Sequence, residues 1–214
     1  MFSLVLIILF AYLVGSFPTS IVVGRMTRRI DIREHGSKNA GGTNAFRVLG
    51  WKAGLFVAVV DILKGVLATL LVAKIRVDSL TLNYELVQII AGTSAVIGHV
   101  WTVLAKFKGG KGVATGAGMI VALFPWASLI CFIIFAALVL TTRYVSLGSI
   151  IATSSLPFIL LTFDRIFGKS VSNSLLTFSI LISGLILFTH RSNIRRLFNG
   201  TENRFEKLQF RKKL

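Results

Sequence analysis

Cysteine, histidine and acidic residues are scarce in this chain of 214 residues. It has three histidines, eight Asp and Glu together, and one cysteine, Cys131, which lies inside an apolar run. A single cysteine excludes an internal disulfide framework and a thiolate metal site. The few His, Asp and Glu residues form no cluster typical of metal ligands. We therefore expect no metal and no cofactor, and we interpret Cys131 as a small buried hydrophobe.

Apolar and basic residues are in excess. Hydrophobic residues make up 54% of the chain, and its mean hydropathy of +0.79 is too high for an ordinary soluble domain. The 24 Lys and Arg give a formal net charge of +16. In membrane proteins such an excess normally lies in cytoplasmic loops beside anionic lipid. We therefore expect an integral membrane protein whose partners include membrane lipid and exclude nucleic acid.

Six apolar blocks meet the hydropathy criterion for spanning helices. They cover residues 2–24, 53–73, 87–105, 113–141, 144–163 and 171–189. The first block has no basic segment before it and no cleavage site of small residues. It therefore predicts a retained helix with its N-terminus outside, and no signal peptide.

The fourth block contains Pro125 near its middle, and proline kinks or breaks a helix. A turn there gives seven crossings and places 19 basic residues on one side of the membrane and 4 on the other, whereas six crossings give 12 and 11. Because cytoplasmic loops collect Lys and Arg, seven crossings are favoured. We predict one all-α domain, residues 1–214, with seven transmembrane helices, the N-terminus outside and the C-terminus cytoplasmic. Residues 113–124 would form a short helix of about 18 Å, and residues 191–214 an interfacial cytoplasmic tail.

Glycine and lysine are concentrated in FKGGKGVAT, residues 107–115, which leads into an apolar block. Glycines let a backbone approach a ligand, lysines supply charge, and a helix N-terminus attracts anions. The spacing does not match a Walker A loop, so ATP binding is not predicted. The alternative is that Gly112 and Gly116 pack helices and that the lysines are ordinary cytoplasmic cations. We favour an anion site whose candidates are Lys108, Gly109, Gly110, Lys111, Gly112 and Thr115.

Neutral donors, glycines and cations are also concentrated in the first long loop, residues 36–47. Such a mixture suits a hydroxylated phosphate ligand. If a short helix begins near Thr43, Asn44 and Arg47 lie on one of its faces. The candidates in this loop are Ser37, Asn39, Asn44 and Arg47, and the alternative is a flexible polar loop.

Three ionisable residues lie within or at the end of apolar blocks: Asp61, Lys64 and His99. Ionisable groups at that depth normally face the protein interior and have a partner. Asp61 and Lys64 form either an internal salt bridge or part of a substrate site. His99 either donates to an anion, moves a proton, or packs as a hydrogen-bonded histidine. The sequence leaves these alternatives open.

The remaining polar candidates are Arg143 and Ser146, after the fourth block, and Asn193, Arg196 and Glu202, after the last. Seven crossings place both segments on the same membrane face as the two loops, which indicates one shared site. The tail pattern is typical of a helix in the interface, with Asn193, Arg196 and Gly200 on its polar face. The alternative is a basic tail bound to anionic lipid, which explains residues 211–213.

Together these segments resemble the PlsY family of bacterial acyl-phosphate:glycerol-3-phosphate acyltransferases. The matching motifs are Gly15-Ser16, GSKNAGGTNAFRVLG, DILKG, GHVWTVLAKFKGGKGVAT, RYVSLGSI and HRSNIRRLFNGTE. They span nearly the whole chain. The resemblance implies a multi-pass protein of the bacterial cytoplasmic (inner) membrane with an active site facing the cytoplasm.

By this resemblance, Ser37, Arg47, Lys111 and Asn193 fall where the family has catalytic or substrate-binding residues, and residues 108–112 match its phosphate-binding loop. Two positions depart from the pattern: Lys38 stands where members often have glycine, and Asn203 where some have His or Pro. No histidine role is carried over to position 203. Residues 205–214 lie outside the recognisable pattern.

The activity implied is transfer of an acyl group from acyl phosphate to the sn-1 hydroxyl of glycerol 3-phosphate. We separately expect a monomer. Because acyl phosphate is already activated, the enzyme must hold two phosphates, align the hydroxyl and stabilise the oxyanion. We predict that residues 108–112, the glycine loop, hold one phosphate. Asn39, Asn44 and Arg47 would hold the other, and Ser37 or His99 would contact the reacting centre. A substrate phosphate can take the proton.

Three alternatives can be compared with this activity: an acyl-CoA-dependent acyltransferase, a transporter and a structural lipid-binding protein. The His-x-x-x-x-Asp pattern of other glycerolipid acyltransferases is missing, since Ala40, Leu104 and Arg195 stand five positions after the three histidines; acyl-CoA is therefore a weak candidate donor. A transporter for small anions or phosphate esters would also use basic, glycine-rich segments, but only Asp61 and Lys64 lie deep. A structural lipid-binding protein explains the paired glycines least well.

Overall fold

A computed structural model describes residues 1–167 and 171–205, with the side chains of residues 166 and 167 left undescribed. Within these ranges the chain is helical and contains no strand, so the predicted all-α fold is confirmed. The helices are α1 Phe2–Ser16, α2 Thr19–Arg28, α3 Gly42–Leu49, α4 Trp51–Leu70, α5 Tyr84–Val100, α6 Val113–Leu123, α7 Pro125–Thr142, α8 Val145–Phe167, α9 Asn173–Thr189 and α10 Arg191–Phe198. Lys169 and the basic residues at 211–213, which were included in the charge count above, lie outside the described residues.

Several helices are long and apolar enough to cross a membrane. Five described segments meet this condition: Phe2–Arg28, Trp51–Lys74, Tyr84–Ala105, Pro125–Thr142 and Val145–Arg165. α9 and α10 together make a sixth if they count as one span, although they are bent by 62°. α6 is apolar but has 11 residues, about 16 Å of helix against a hydrocarbon core of roughly 30 Å. The number of crossings therefore stays a prediction.

Proline marks two breaks in the apolar blocks. α6 ends at Leu123 and Pro125 is the first residue of α7, which confirms the predicted break. Proline is well suited to the first turn of a helix because its missing N–H would have no partner there. A second break, not foreseen from the sequence, separates α1 from α2 at Phe17 and Pro18. It turns the Phe17 carbonyl towards Lys64 of α4.

Glycine allows α4 and α6 to pack closely. A Cβ added to Gly65 would stand 2.0 Å from the Thr115 carbonyl oxygen, and one added to Gly118 would stand 1.9 Å from the Ile62 carbonyl oxygen. Small residues permit such backbone approach in membrane helix pairs. The N-terminal half of α6 is therefore held against Ile62 and Gly65 of α4.

The end of α9 brings the tail under the glycine loop. α9 stops at Thr189, and α10 starts at Arg191 in a new direction. The Thr189 hydroxyl donates to the Lys111 carbonyl at 3.0 Å, which ties the bend to the loop before α6. Asn193, in the first turn of α10, is 5% exposed. Gly200, predicted to share its helical face, lies beyond the end of α10.

Candidate active site

A cavity of about 720 Å³ lies among α3 to α10. Eleven of the eighteen predicted site residues line it: Ser37, Asn39, Asn44, Arg47, Asp61, His99, Lys111, Gly112, Ser146, Asn193 and Glu202. A much smaller neighbouring cavity is lined by Lys64, Gly109 and Gly110, together with Asp61 and His99. Lys108, Thr115, Arg143 and Arg196 line neither of these two cavities.

Lys111 begins a chain of hydrogen bonds at the polar end of the cavity. Its ammonium donates to the Asn193 side-chain oxygen, and the Asn193 amide donates to Glu202 at 2.7 Å. Glu202 also accepts from the Ser146 hydroxyl at 2.9 Å and from the Arg196 guanidinium at 2.7 Å. The carboxylate therefore joins α8, α10 and the glycine loop, and it fixes the position of Asn193 beside Lys111.

The charge of Lys111 is sensitive to its surroundings. Burial lowers the pKa of the ammonium from 10.5 to about 8, while Glu202 acts to raise it and Arg196 and Arg47 act to lower it further. Burial disfavours the charged form because the ammonium loses hydration. An anion entering the cavity would restore a favourable partner for the charge.

The two adjacent glycines of the loop have a packing explanation. The Gly109 N–H donates to the Val100 carbonyl at 3.1 Å and the Gly110 N–H donates to the His99 carbonyl at 3.0 Å. A Cβ on Gly109 would stand 2.0 Å from the His99 carbonyl oxygen, and one on Gly110 would stand 2.1 Å from the His99 ring. Both N–H groups are thus bonded to α5, and the part of the loop that lines the large cavity is Lys111 and Gly112.

The N-terminus of α6 opens into the same cavity. Gly112 is its N-cap, with a φ of 86°, and Val113 and Ala114 line the cavity. The first-turn N–H groups of a helix have no partner within the helix, and they carry the positive end of the helix dipole. Lys111 and this helix end together make the polar end of the cavity suitable for a phosphate.

Asn44 organises the first loop. Its side-chain oxygen accepts from the Ser37 N–H at 2.9 Å, and its amide donates to the carbonyls of Ile32 and His35, each at 3.0 Å. Asn44 is 1% exposed, whereas Arg47, one helical turn further along α3, is exposed and also lines the cavity. Asn44 therefore holds the Ser37 backbone in position. The Arg47 charge stays available to a ligand.

Asp61 and Lys64 form a buried ion pair at 2.6 Å. Asp61 also accepts from the Thr19 hydroxyl at 2.9 Å, and Lys64 also donates to the Phe17 carbonyl. The His99 ring nitrogen Nδ1 lies 3.8 Å from the Asp61 carboxylate, beyond ordinary hydrogen-bond distance. The pair thus holds the break between α1 and α2 against α4, with His99 on its cavity side.

Three predicted residues, Arg143, Thr115 and Lys108, do not line the cavity, for different reasons. Arg143 is the left-handed residue that ends α7, and its carbonyl accepts from the Phe205 N–H at 2.7 Å. Thr115 is fully buried, and its carbonyl faces Gly65 in the contact between α4 and α6. Lys108 is exposed outside the cavity. These positions give them structural or surface environments rather than contact with a ligand in the large cavity.

His190 and Asn203 also line the cavity, and the sequence predicted no role for either of them. His190 is 3% exposed, and its ring nitrogen Nδ1 lies 2.9 Å from the Ile186 carbonyl oxygen. Its position three residues before Asn193 was an available signal, since residues at that spacing lie close together around a helix end.

The other end of the cavity is apolar. Leu55 and Val59 of α4, Val121 of α6, and Leu129 and Phe132 of α7 all line it, and they are between 43% and 64% exposed. Side chains that line a cavity and are also exposed mark its opening. The cavity therefore opens sideways between α4 and α7, on the apolar surface of the helices, and runs from there to Lys111.

These features define a helical membrane protein with a cationic site that is continuous with an apolar groove. The chain matches the family model described as glycerol-3-phosphate acyltransferase over residues 5–200. The glycerol-3-phosphate acyltransferase of Chlorobaculum parvum (strain DSM 263 / NCIMB 8327) is 49% identical over 225 residues, which cover 95% of this chain and 97% of the relative. That of Chlorobium luteolum (strain DSM 273 / BCRC 81028 / 2530) is 46% identical over 228 residues, with the same coverage.

Two solved structures are also similar. The glycerol 3-phosphate form of PlsY (YgiH), an integral membrane glycerol 3-phosphate acyltransferase, has a TM-score of 0.84 and 38% identity, and the match covers 98% of this chain and 100% of that one. Its lysophosphatidic acid form has a TM-score of 0.81 and 38% identity, with 97% of each chain covered. The chain belongs to the glycerol-3-phosphate acyltransferase (PlsY) family, and the predicted membership is confirmed.

Proposed function

We propose that this protein transfers an acyl group from acyl phosphate to the sn-1 hydroxyl of glycerol 3-phosphate, giving lysophosphatidic acid and inorganic phosphate. The observation that carries the proposal is the continuity of the cavity, from Lys111 and Asn193 at the polar end to Phe132 at the lipid-facing end. Both an acyl phosphate and the lipid product have an apolar chain and a phosphate, so one cavity suits the two. The solved relatives named for glycerol 3-phosphate and lysophosphatidic acid agree with this substrate and product.

In the proposed reaction the acyl chain enters between α4 and α7 and lies along the apolar part of the cavity. Its phosphate binds Lys111 and the N-terminus of α6, where a helix end and an ammonium both favour an anion. The phosphate of glycerol 3-phosphate binds Arg47 with Asn39. Asn193 holds the Lys111 ammonium in position through the hydrogen bond that the pair makes.

The proposed acyl transfer needs no protein nucleophile. The sn-1 hydroxyl oxygen forms a bond to the acyl carbonyl carbon, the bond from that carbon to the phosphate oxygen breaks, and the hydroxyl proton goes to the departing phosphate. Ser37 and His99, which line the same cavity, contact the reacting centre and stabilise the oxyanion. Holding both substrates in line supplies most of the acceleration, because acyl phosphate is already activated.

The membrane arrangement is part of the same proposal. α1 with α2, α4, α5, α6, α7, α8 and α9 make seven crossings in a bacterial inner membrane, with the N-terminus outside. The charge distribution then puts the site at the cytoplasmic face, where glycerol 3-phosphate reaches it from water while acyl phosphate reaches it from lipid. In this proposal the enzyme acts as a monomer.

The direct test is turnover without CoA. Purified protein in lipid vesicles is given palmitoyl phosphate and glycerol 3-phosphate, and phosphate and lysophosphatidic acid are both measured. We expect equimolar appearance of the two products. Turnover with palmitoyl-CoA but none with palmitoyl phosphate would show that acyl phosphate is not the donor. Substrate flux across the vesicle membrane without product would favour a transporter instead.

A further inference from the structure

Residues 101–108, WTVLAKFK, connect α5 to the glycine loop and carry an exposed apolar surface; we call them the interfacial turn. Trp101 is 39% exposed, Val103 43%, Leu104 61% and Phe107 59%. The turn begins inside the apolar segment Tyr84–Ala105 and continues past its end. Its side chains therefore lie where that segment leaves the hydrocarbon and meets lipid headgroups.

Two lysines alternate with the apolar residues at the end of the turn. Lys106 and Lys108 flank Phe107, and both are exposed. Neither lines the large cavity, and among the described residues no ion pair joins either lysine to a carboxylate. Their charges are thus available to a ligand outside the cavity.

The backbone of the turn is fixed although its side chains are exposed. The Phe107 N–H donates to the Thr102 carbonyl at 2.8 Å, the Thr102 hydroxyl donates to the Ser16 carbonyl of α1, and the Arg33 guanidinium donates to the Ala105 carbonyl at 2.9 Å. Lys106 and Phe107 have φ values of 56° and 58°, a left-handed conformation that bulky L residues rarely adopt. A ligand that holds both side chains would stabilise this conformation.

We propose that the interfacial turn is a binding site for anionic phospholipid of the adjacent leaflet. Leu104 and Phe107 contact the acyl chains, and Lys106 and Lys108 bind the headgroup phosphate. Apolar side chains interleaved with lysines at the end of a spanning segment match a molecule with apolar tails and a negative charge at the interface. A lipid with an ammonium in its headgroup offers the same phosphate without net charge, so it binds less well.

Lipid at this site acts on the loop beside it. The interfacial turn runs directly into Gly109 and Gly110, whose N–H groups bond to the carbonyls of Val100 and His99, and Lys111 follows at once. Bound lipid therefore stabilises the loop conformation that presents Lys111 to the cavity. This second step rests on the proposed function, whereas the lipid site itself does not.

The test uses Trp101 as a reporter of the lipid next to the turn. Trp51→Phe and Trp126→Phe leave Trp101 as the one tryptophan of the three in the chain. The protein is placed in two preparations of phosphatidylcholine vesicles. One contains brominated phosphatidylcholine, and the other contains the same fraction of brominated phosphatidylglycerol. We expect the anionic lipid to be enriched roughly tenfold at Trp101, and so to quench its fluorescence more.

Lys106→Gln with Lys108→Gln should abolish this excess quenching. The matched control is Lys52→Gln with Arg195→Gln, which removes two exposed cations that line neither cavity. Equal quenching by the two lipids, or an excess that survives in the Lys106, Lys108 variant, would overturn the site. A comparable loss in the control would also overturn it, because the attraction would then be general.

Acyl transfer in the same vesicles tests the effect on the loop. We expect a higher kcat with phosphatidylglycerol than without it, and loss of that difference in the Lys106, Lys108 variant alone. Enrichment of phosphatidylglycerol with an unchanged kcat overturns the coupling to Lys111. Enrichment without any acyl transfer contradicts the proposed function and still supports the lipid site.

Discussion

The Lys111 ammonium donates a hydrogen bond to the side-chain oxygen of Asn193, which is 82 positions later in the chain. Asn193 in turn is held by Glu202. The amide therefore orients the ammonium without neutralising it, so the positive charge stays available to an anion in the cavity. This relationship gives the first two predictions.

Lys111→Ala should lower kcat/KM for acyl transfer by about 100-fold, the usual effect of removing one electrostatic stabiliser. The thermal midpoint of the purified protein should change little, since the substitution removes a charge that burial disfavours. Lys52→Ala, an exposed lysine outside the cavity, is the matched control and should keep full activity. Equal losses in the two variants would show that Lys111 has no special role.

The pH dependence of kcat/KM should follow the charge of Lys111. Its pKa of about 8 means that the free enzyme carries the ammonium below that pH and loses it above. We expect kcat/KM to fall as the pH rises through about 8, measured over a range in which the protein stays folded. In Lys111→Arg this decline should disappear, because arginine stays charged. The same decline in both proteins would assign it to another group.

Stability should change with pH in the opposite direction. The folded pKa of about 8 is below the ordinary 10.5, so between these values the unfolded chain binds more protons at Lys111 than the folded one. Stability therefore rises as the pH increases from about 8 to 10.5. The relevant measurement is the difference in thermal midpoint between wild type and Lys111→Met across that window. A constant difference would contradict this account.

Glu202→Ala should destabilise the protein by about 3 kcal/mol, because Arg196 and Asn193 would lose a buried carboxylate partner. Ser146→Ala removes one of the same contacts and should cost only about 1 kcal/mol. Chemical denaturation in detergent, followed by circular dichroism, compares the two. Equal effects would mean that Glu202 is not the common acceptor that joins these segments.

Ala152→Phe should make the enzyme discriminate against long acyl chains. Ala152 lines the cavity and is 6% exposed, so a phenyl ring there fills the space proposed for the chain. We expect kcat/KM for palmitoyl phosphate to fall at least tenfold more than that for butyryl phosphate, since overpacking is not relieved easily in a packed interior. Ala137→Phe, on the exposed surface of α7, is the control. Parallel losses with both substrates would contradict the groove.

Much of the fold could be predicted from the sequence because each signal is local. An apolar block long enough to span lipid predicts a helix, and Pro125 ends one helix and starts the next whatever surrounds it. The break at Phe17 and Pro18 was not foreseen. The break is held by two hydrogen bonds to α4: Lys64 donates to the Phe17 carbonyl, and the Thr19 hydroxyl donates to Asp61. Both form only after α4 packs against α1 and α2.

The site was predicted in part. Charge and glycine content predicted one shared site for segments that are far apart in the chain, and eleven of the candidates line one cavity. The roles within it depend on distance. Gly109 and Gly110 were predicted to be part of an anion loop, yet their N–H groups bond to the end of α5. Asn44 lines the cavity, but its side-chain oxygen and amide bond to its own loop.

The sequence by itself determined the helical membrane class, the basic character of the connecting segments and the residue types of the candidate site, because hydropathy, charge and backbone preference are properties of short segments. Only the tertiary structure decided that Lys111 pairs with Asn193, that Glu202 joins three segments, and that the cavity opens on the apolar helix surface between α4 and α7. These depend on contacts between residues far apart in the chain, and such contacts follow from how whole helices pack.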